Sequence, residues 1–365
     1  MGGAPALADA RRFTRHRRPS PGRLSWFRRY RRTLVAFTSG LRDAARQLRS
    51  GRRTGGRTKP ARIVAIGVAS IIVAAIALVS LQGSSDPATS PSSARPKPGA
   101  FLGVFVVGVP QSYATLRAFT ATTHVRPNLV VYYSGWKEPF QVRFAAVAAR
   151  HGASPLVQID PTGVSLAAIA SGRYDTYLRS YAAAVKAFGR RVVLSFAPEM
   201  NAPWYAWGYR HTSAAVYVAA WRHVVTVFRA AGTRNVTWLW TVNALQCGCH
   251  IRLPASWWPG SSYVNWVGVD GYYYQPSWKF AALFGPTIKN IRTVTLDPIL
   301  ISETAAPAAS QPAKIADLFA GIRAYGLLGF VWFDHNKEQA WRISSTAAIA
   351  ALRRGAETLK NSAHK

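Results

Sequence analysis

Two glutamates, Glu199 and Glu303, are the residues of this chain best suited to acid–base chemistry. The first lies in RRVVLSFAPEMNAPWYAWG (190–208) and the second in PILISETAA (298–306), so each follows an apolar run. The whole chain holds only 14 Asp+Glu, and ordinary solvated charge does not account for two of them at the ends of apolar runs. A pair of facing carboxyl groups is the minimal equipment for cleaving a glycosidic bond.

Strands must bring the two glutamates together, and the sequence predicts eight of them. After residue 100, short apolar runs alternate with segments of helical period such as 214–231. The predicted strands are 102–107, 129–133, 155–159, 192–197, 236–242, 266–271, 298–302 and 328–333. Eight strands alternating with helices indicate an α/β fold, a (β/α)8 TIM barrel whose active site lies at the carboxyl ends of its strands. A doubly wound open sheet is the alternative, but no glycine-rich phosphate loop follows the first strand.

Residues 63–81 form an uncharged apolar segment before the predicted barrel. As a helix it would span about 28 Å, close to the hydrocarbon thickness of a bilayer. Five Lys and Arg side chains lie at 52–62, whereas 82–85 are uncharged. The positive-inside rule then predicts a single-pass protein of the cell membrane, with the N-terminus cytoplasmic and the barrel extracellular. A cleavable signal peptide is the alternative, although the 62 preceding residues are too many for one.

The predicted organisation has five parts. They are a basic cytoplasmic tail (1–62), a transmembrane signal-anchor helix (63–81), a Ser/Pro-rich linker (82–99), the barrel (100–357) and a C-terminal tail (358–365). The first part holds 18 Lys+Arg against 2 Asp+Glu. Such a tail fits a basic amphipathic helix on the anionic inner leaflet and fits a disordered tail equally well. No segment resembles a nucleic-acid-binding fold, so membrane and not nucleic acid is the predicted partner.

The two cysteines, Cys247 and Cys249, are separated by a single glycine. Together with His250 they are too few and too close for a metal site, and they could form a strained local disulfide or remain free. We predict no metal, no cofactor and no catalytic cysteine.

Four sequence blocks in the predicted barrel resemble glycoside hydrolase family 26. They are EMNAPWYAWG (199–208) with AWRHV (220–224), NWVGVDGY (265–272), ISET (301–304) and FVWF (330–333). The resemblance covers about residues 100–355. It implies a clan A (β/α)8 barrel and a retaining, β-mannanase-like glycosidase.

The resemblance also implies roles for individual residues. Glu199 corresponds to the general acid/base, Glu303 to the nucleophile and Tyr272 to the tyrosine that hydrogen-bonds the nucleophile. The substrate-binding positions are Asn201, Trp204, Trp207, Asp270 and Trp332. Each of these five has a structural alternative: core packing for the tryptophans, a strand-end cap for Asn201, and a hydrogen-bonded support for Asp270.

One position departs from the family pattern. Pro198 precedes the acid/base glutamate, where the family usually has histidine, and proline brings neither a side-chain nor a backbone donor.

Together, the apolar segment, the barrel and the family resemblance predict a membrane-anchored endo-β-glycosidase acting on a β-linked polysaccharide, with β-1,4-mannan as the first substrate. Mixed-linkage β-glucan, the cell's own exopolysaccharide, transglycosylation and a non-catalytic carbohydrate-binding barrel remain alternatives. The sequence leaves the oligomeric state open.

Overall fold

The computed structural model describes residues 97–247 and 250–363. The predicted cytoplasmic tail, the helix at 63–81 and nearly all of the linker lie outside the described residues, as does Cys249. Among the helices that are described, none combines the length and the apolarity needed to cross a bilayer.

Eight parallel strands close into a barrel in sequence order, with β8 paired to β1. The strands are β1 (Phe101–Val106), β2 (Leu129–Gly135), β3 (Ser154–Asp160), β4 (Val192–Phe196), β5 (Val236–Asn243), β6 (Trp266–Asp270), β7 (Ile299–Thr304) and β8 (Gly329–Asp334). Each predicted apolar run forms one of these strands. The (β/α)8 barrel is therefore confirmed.

Helices connect the strands over the described residues. They are α1 (Ala114–Thr123), α2 (Val142–Arg150), α3 (Leu166–Ala170), α4 (Asp175–Phe188), α5 (Ala214–Ala230), α6 (Phe280–Ile291), α7 (Gln311–Ala324) and α8 (Thr346–Ala363). Short 3-10 turns at Leu245–Cys247, Pro254–Trp257 and Ser261–Tyr263 occupy the β5–β6 connection. Helix α5 begins after Ser213, whose hydroxyl accepts the Val216 N–H, and it buries Tyr217, Trp221 and Val225.

Alternate strand residues supply two different apolar cores. Leu129 and Leu156 belong to the cluster inside the barrel. Their neighbours Val130 and Val157 belong to the larger cluster between strands and helices. Both faces of each strand are therefore buried, which explains why the strands read as continuous apolar runs instead of alternating ones.

The inner face becomes polar towards the carboxyl ends of the strands. Because the side-chain period of a strand is two, Tyr133 follows Leu129 and Val131 on the inner face of β2. In the same way, Asp160 follows Leu156 and Gln158 on β3. The end of the barrel at which these polar residues emerge is called the barrel mouth below.

Strand β7 carries one residue more than either neighbour near its end. Opposite β6, Gly268 pairs with Leu300 but Asp270 pairs with Glu303, and the register to β8 shifts in the same segment. Strict alternation from the inward-facing Leu300 would put Glu303 on the outer face of the barrel. The bulge turns this side chain towards the barrel mouth.

Gly268 leaves room for this arrangement, and its substitution tests how tightly the strand ends are packed. A Cβ at this position would lie 2.5 Å from Ser302 Oγ and 2.8 Å from Thr241 Oγ1. We expect Gly268→Ala to lower the free energy of unfolding by about 1–3 kcal/mol, measured as a lower urea midpoint of the full-length chain. Ala320→Ser, on the exposed side of α7, should stay within about 0.5 kcal/mol. Equal midpoints for the two variants would contradict the packing described.

Candidate active site

Glu199 lies just beyond β4, where the backbone makes an unusual turn. Ala197 and Glu199 adopt φ values of 46° and 55°, on either side of Pro198. For residues other than glycine this left-handed conformation is disfavoured by roughly 1–2 kcal/mol each. Two backbone bonds hold the turn: Ala197 N–H donates to Ile159 O at 3.0 Å, and Glu199 N–H donates to Thr241 O at 2.9 Å. Neighbouring strands on both sides thus fix the direction of the Glu199 side chain.

The Glu199 carboxyl is buried and accepts two hydrogen bonds. Asn243 Nδ2 donates to Oε1 at 2.6 Å, and Trp204 Nε1 donates to Oε2 at 2.9 Å. Burial, reinforced by the negative charge of Glu303, raises its pKa from 4.5 to about 7, although the two donors oppose the shift. A carboxyl group with this pKa holds a proton near neutrality, as a general acid must.

Asn201 holds the backbone of Asn243, the residue that donates to Glu199. Asn201 Nδ2 donates to Asn243 O at 2.9 Å and to Arg252 O at 3.2 Å, while its Oδ1 accepts the Asn243 N–H at 2.8 Å. Asn201 has no exposed surface. The structure therefore favours the strand-end alternative for Asn201 over the predicted sugar contact.

Glu303 faces the same space from the bulge on β7. Tyr133 and Tyr272 each donate a hydroxyl hydrogen bond to it, one to each carboxyl oxygen. Burial raises the pKa of Glu303, and both tyrosine hydrogen bonds lower it. Burial and the charge of Glu303 raise the pKa of both tyrosines, so they remain protonated donors. Two neutral donors on one carboxylate stabilise its ionised form, the form a nucleophile needs.

Tyr272 is held in place by a stack of aromatic rings. Its ring stacks on Trp341 with centroids 4.5 Å apart and an interplanar angle of 24°. Trp332 Nε1 donates to Trp341 O at 3.1 Å, and Trp332 is only 1% exposed. Trp332 thus supports the residue beneath Tyr272, and the structure favours its packing alternative over a sugar-facing role.

Asp270, at the end of β6, accepts a hydrogen bond from Ser302 Oγ at 2.5 Å and is almost fully buried. Burial, together with the charges of Glu303 and Glu199, raises its pKa well above the ordinary value. The Gly271 N–H also donates to Glu303 O at 2.9 Å. These contacts agree with a support that fixes the strand carrying Glu303.

The two tryptophans predicted to bind sugar after Glu199 differ in exposure. Trp204 is partly exposed and bonded to Glu199, so its ring borders the space at the barrel mouth. Trp207 is 3% exposed, donates its Nε1–H to Pro198 O at 2.7 Å and stacks on Tyr205 at 4.4 Å. The sugar contact of Trp204 stays a prediction that its exposure allows, whereas Trp207 braces the turn that carries Glu199.

Three residues at the barrel mouth are absent from the sequence-based prediction: Tyr133, Asp160 and Asn243. Tyr133 is the last residue of a predicted strand, and each of the other two directly follows one. A search for polar residues at the carboxyl end of every predicted strand finds all three, because those ends converge at one mouth. None of the three belongs to a block that resembles the family. Their position at the ends of predicted strands is therefore the only sequence signal that identifies them.

The barrel mouth is acidic although the chain as a whole is strongly basic. Burial is the largest cause that raises the pKa of the Tyr205 hydroxyl. Four negative charges raise this pKa further: those of Glu199, Asp160, Glu303 and Asp270. Lys337 is close enough to lower the pKa of both glutamates. Over residues 97–247 and 250–363, no group of three or more His, Cys, Asp or Glu side chains has a metal-binding arrangement.

Comparison with known proteins agrees with the family resemblance. Residues 181–342 match the family model described as Glycosyl hydrolase family 26. This segment begins in α4, runs through β8 and contains both Glu199 and Glu303. The predicted resemblance to this family is therefore confirmed over residues 181–342.

Two curated relatives and one solved structure illustrate the similarity. Endoglucanase H of Acetivibrio thermocellus is 29% identical over 265 residues, covering 68% of this chain and 29% of the relative. Beta-1,3-xylanase TXYA of Vibrio sp. is 29% identical over 109 residues, covering 30% of this chain and 22% of the relative. The chain thus spans less than a third of either relative's length. The mannanase BCman of Bacillus subtilis shares the fold, with a TM-score of 0.54 at 17% identity over 71% of this chain and 85% of that chain.

The raised pKa of Glu199 predicts how stability depends on pH. In the folded chain its pKa is about 7 instead of 4.5. Its protonated form therefore favours folding below about pH 4.5, and this contribution is lost as the pH rises through about 7. We expect Glu199→Gln to be more stabilising at about pH 8 than at about pH 5, by up to roughly 3 kcal/mol.

Urea unfolding of both full-length chains at the two pH values measures this difference. Glutamine fits the site because the unpartnered Asn243 Oδ1 can accept its amide N–H after a flip of the Asn243 amide. Glu357→Gln, which changes an exposed residue of α8, serves as the control and should show no such pH dependence. A parallel response of Glu199→Gln and Glu357→Gln would contradict the burial of Glu199.

Proposed function

We propose that this chain, whose residues 181–342 match the glycosyl hydrolase family 26 model, is a retaining endo-β-glycosidase that cleaves a β-linked polysaccharide. The observation that carries the proposal is the contrast between two facing carboxyl groups. Glu303 accepts a hydrogen bond from a tyrosine hydroxyl on each oxygen, whereas Glu199 has a pKa raised to about 7. Both carboxyl groups are buried and accept two hydrogen bonds, but the charge of Glu303 adds to burial in raising the pKa of Glu199. This difference supports Glu303 as the nucleophile and Glu199 as the general acid.

In the first half of the proposed reaction, a Glu303 carboxylate oxygen forms a bond to the anomeric carbon. The bond from that carbon to the leaving sugar's oxygen breaks, and this oxygen takes the proton of Glu199. Tyr133 and Tyr272 hold Glu303 in position for the attack. The products are a glycosyl ester on Glu303 and a free chain end.

In the second half, the ester removes the negative charge that raises the pKa of Glu199. Glu199 can then remain ionised, because Asn243 and Trp204 both donate to it. It accepts a proton from water while the water oxygen attacks the anomeric carbon and Glu303 leaves as a carboxylate. Two displacements at one carbon restore the β configuration. A sugar hydroxyl in place of water would give transglycosylation with the same groups.

The substrate is proposed to be a neutral β-linked polysaccharide. An anionic sugar at the cleavage position would face four acidic side chains, those of Asp160, Glu199, Asp270 and Glu303. β-1,4-Mannan follows from the family resemblance. A β-glucan is the second candidate, favoured by the similarity to an endoglucanase over 68% of this chain and by Pro198 in the place of the usual histidine.

The proposed location is outside the cytoplasm, tethered to the membrane by residues 63–81. The uncharged length of this segment and the basic residues on its N-terminal side support the proposal. Tethering would hold the barrel near the cell surface, where polymeric substrates too large to enter the cell are met.

The full-length chain, incubated with β-1,4-mannan, mixed-linkage β-glucan and β-1,3-xylan, tests the proposed activity. We expect oligosaccharides from at least one of these polymers, released first as the β-anomer when followed by NMR. Glu303→Gln should lower kcat by roughly a thousandfold or more, and Glu199→Gln by about 10²–10⁴-fold. An α-anomer as first product would contradict the retaining mechanism.

Binding measurements with the same variant distinguish an enzyme from a binding protein. Glu303→Gln keeps the shape of the site, so it should still bind the oligosaccharides that the wild type releases. If the wild type binds these polymers but cleaves none of them, the non-catalytic barrel is the correct interpretation. Mannan cleaved faster than glucan would assign the first substrate candidate, and the reverse order the second.

Membrane fractionation of cells that express the full-length chain tests the proposed anchoring. We expect the protein to stay with membranes after washing at high salt and alkaline pH, because the apolar segment is held by the hydrophobic effect. A variant lacking residues 63–81 is the control and should be released. Protease added to intact cells should digest the barrel but spare a tag at the N-terminus. Digestion of the tag instead would contradict the proposed orientation.

A further inference from the structure

Asp160 is a fourth acidic group at the barrel mouth, outside the proposed nucleophile, acid and support. It is the last residue of β3 and shares its inner face with Leu156 and Gln158. The adjacent Ile159 accepts the N–H of Ala197, so β3 ends beside the turn that carries Glu199. Asp160 is partly exposed at this position.

Asp160 differs from the other three acidic groups in its hydrogen bonding. Glu199, Glu303 and Asp270 each accept at least one side-chain hydrogen bond. Within residues 97–247 and 250–363, Asp160 Oδ1 is shielded from solvent and has no hydrogen-bond donor. A buried carboxylate oxygen without a donor is unfavourable, so such an atom calls for a donor from outside the protein.

The charges of both reacting groups act on Asp160. Burial first, and then the charges of Glu199, Glu303 and Glu138, raise its pKa to about 7. None of the ion pairs among the described residues includes Asp160. The missing partner is therefore neither a protein donor nor a protein cation.

We propose that Asp160 is a specificity-determining residue that accepts hydrogen bonds from neighbouring hydroxyl groups of the sugar bound beside Glu199. This inference rests on the proposed function, because it places the sugar in the space between the two glutamates. A carboxylate offers two acceptor oxygens and no donor, which suits two hydroxyls on adjacent ring carbons. It also supplies, from β3, a polar contact that Pro198 at the end of β4 does not provide.

A carboxylate in this position would discriminate between sugars. A substrate that lacks the recognised hydroxyl leaves the carboxylate desolvated and unpaired, which is the arrangement by which polar sites reject analogues most strongly. A purely electrostatic role, in which Asp160 only raises the pKa of Glu199, predicts no dependence on any particular hydroxyl. The two roles are therefore separable by experiment.

The first measurement compares kcat/KM of full-length wild type, Asp160→Ala and Asp160→Asn on the polysaccharide that the wild type cleaves best. We expect a loss of about 10- to 100-fold for Asp160→Ala and a smaller loss for Asp160→Asn, which keeps one acceptor oxygen. Glu138→Gln is the matched control. It removes an exposed charge that also acts on Asp160, and its effect should stay below about twofold.

Thermal unfolding of the same variants guards against a folding defect. Removing a buried carboxyl whose pKa is raised should raise the melting temperature of Asp160→Ala above about pH 7. Lower activity together with equal or higher stability is the expected signature of a functional residue. A melting temperature that falls along with activity would assign Asp160 a structural role and overturn the inference.

The decisive measurement uses oligosaccharide substrates from which single hydroxyl groups have been removed. For the recognised hydroxyls, deoxygenation should lower kcat/KM of the wild type about tenfold or more but leave that of Asp160→Ala nearly unchanged. If every deoxygenated substrate loses equally on both proteins, or if Asp160→Ala matches the wild type, the inference is wrong. Absence of hydrolysis by the wild type itself would instead reject the proposed function.

Discussion

The arrangement at the barrel mouth depends on the repulsion between carboxylates that share a poorly solvated space. Burial alone raises the pKa of a carboxyl group, and a second negative charge nearby raises it further. Glu303 accepts hydrogen bonds from two tyrosine hydroxyls, and these bonds oppose the rise in its pKa. Of the two glutamates, Glu199 has its pKa raised to about 7, because the charge of Glu303 adds to burial. The difference between two chemically identical side chains therefore arises from the donors and charges around each of them.

The scaffold meets this demand by separating its functions along the strands. Leu129, Leu156 and Val193 fill the interior of the barrel, and the helices cover its outside. The polar and conformationally strained features lie beyond this apolar layer, at the strand ends. The left-handed turn at Glu199 and the bulge before Glu303 are both of this kind. Buried carboxyl groups at the barrel mouth lower the stability of the fold at a pH above their pKa values. The apolar layer below them offsets this loss.

Net charge describes this chain poorly when it is taken as a whole. The chain carries 46 Lys+Arg against 14 Asp+Glu, yet acidic groups dominate the barrel mouth. The field at a site depends on the nearest charges, because solvent and salt screen distant ones within about 10 Å. The overall basic charge bears on association with an anionic surface, whereas the local acidic charge bears on which sugar can approach the two glutamates.

The sequence by itself determined the barrel and the two glutamates, because strands buried on both faces read as apolar runs and each glutamate follows such a run. The family resemblance of the sequence also implied that Tyr272 lies beside the nucleophile. Only the tertiary structure decided which polar residues share the barrel mouth with the glutamates. Tyr133 and Asn243 donate hydrogen bonds to them, and Asp160 faces the same space. Asn201, in contrast, hydrogen-bonds the backbone. The tertiary structure also decided that Glu303 points inward, since one extra residue in β7 reverses the alternation of its side chains. Spacing within one strand is local information, whereas register and hydrogen-bond partners depend on strands that meet only in the closed barrel.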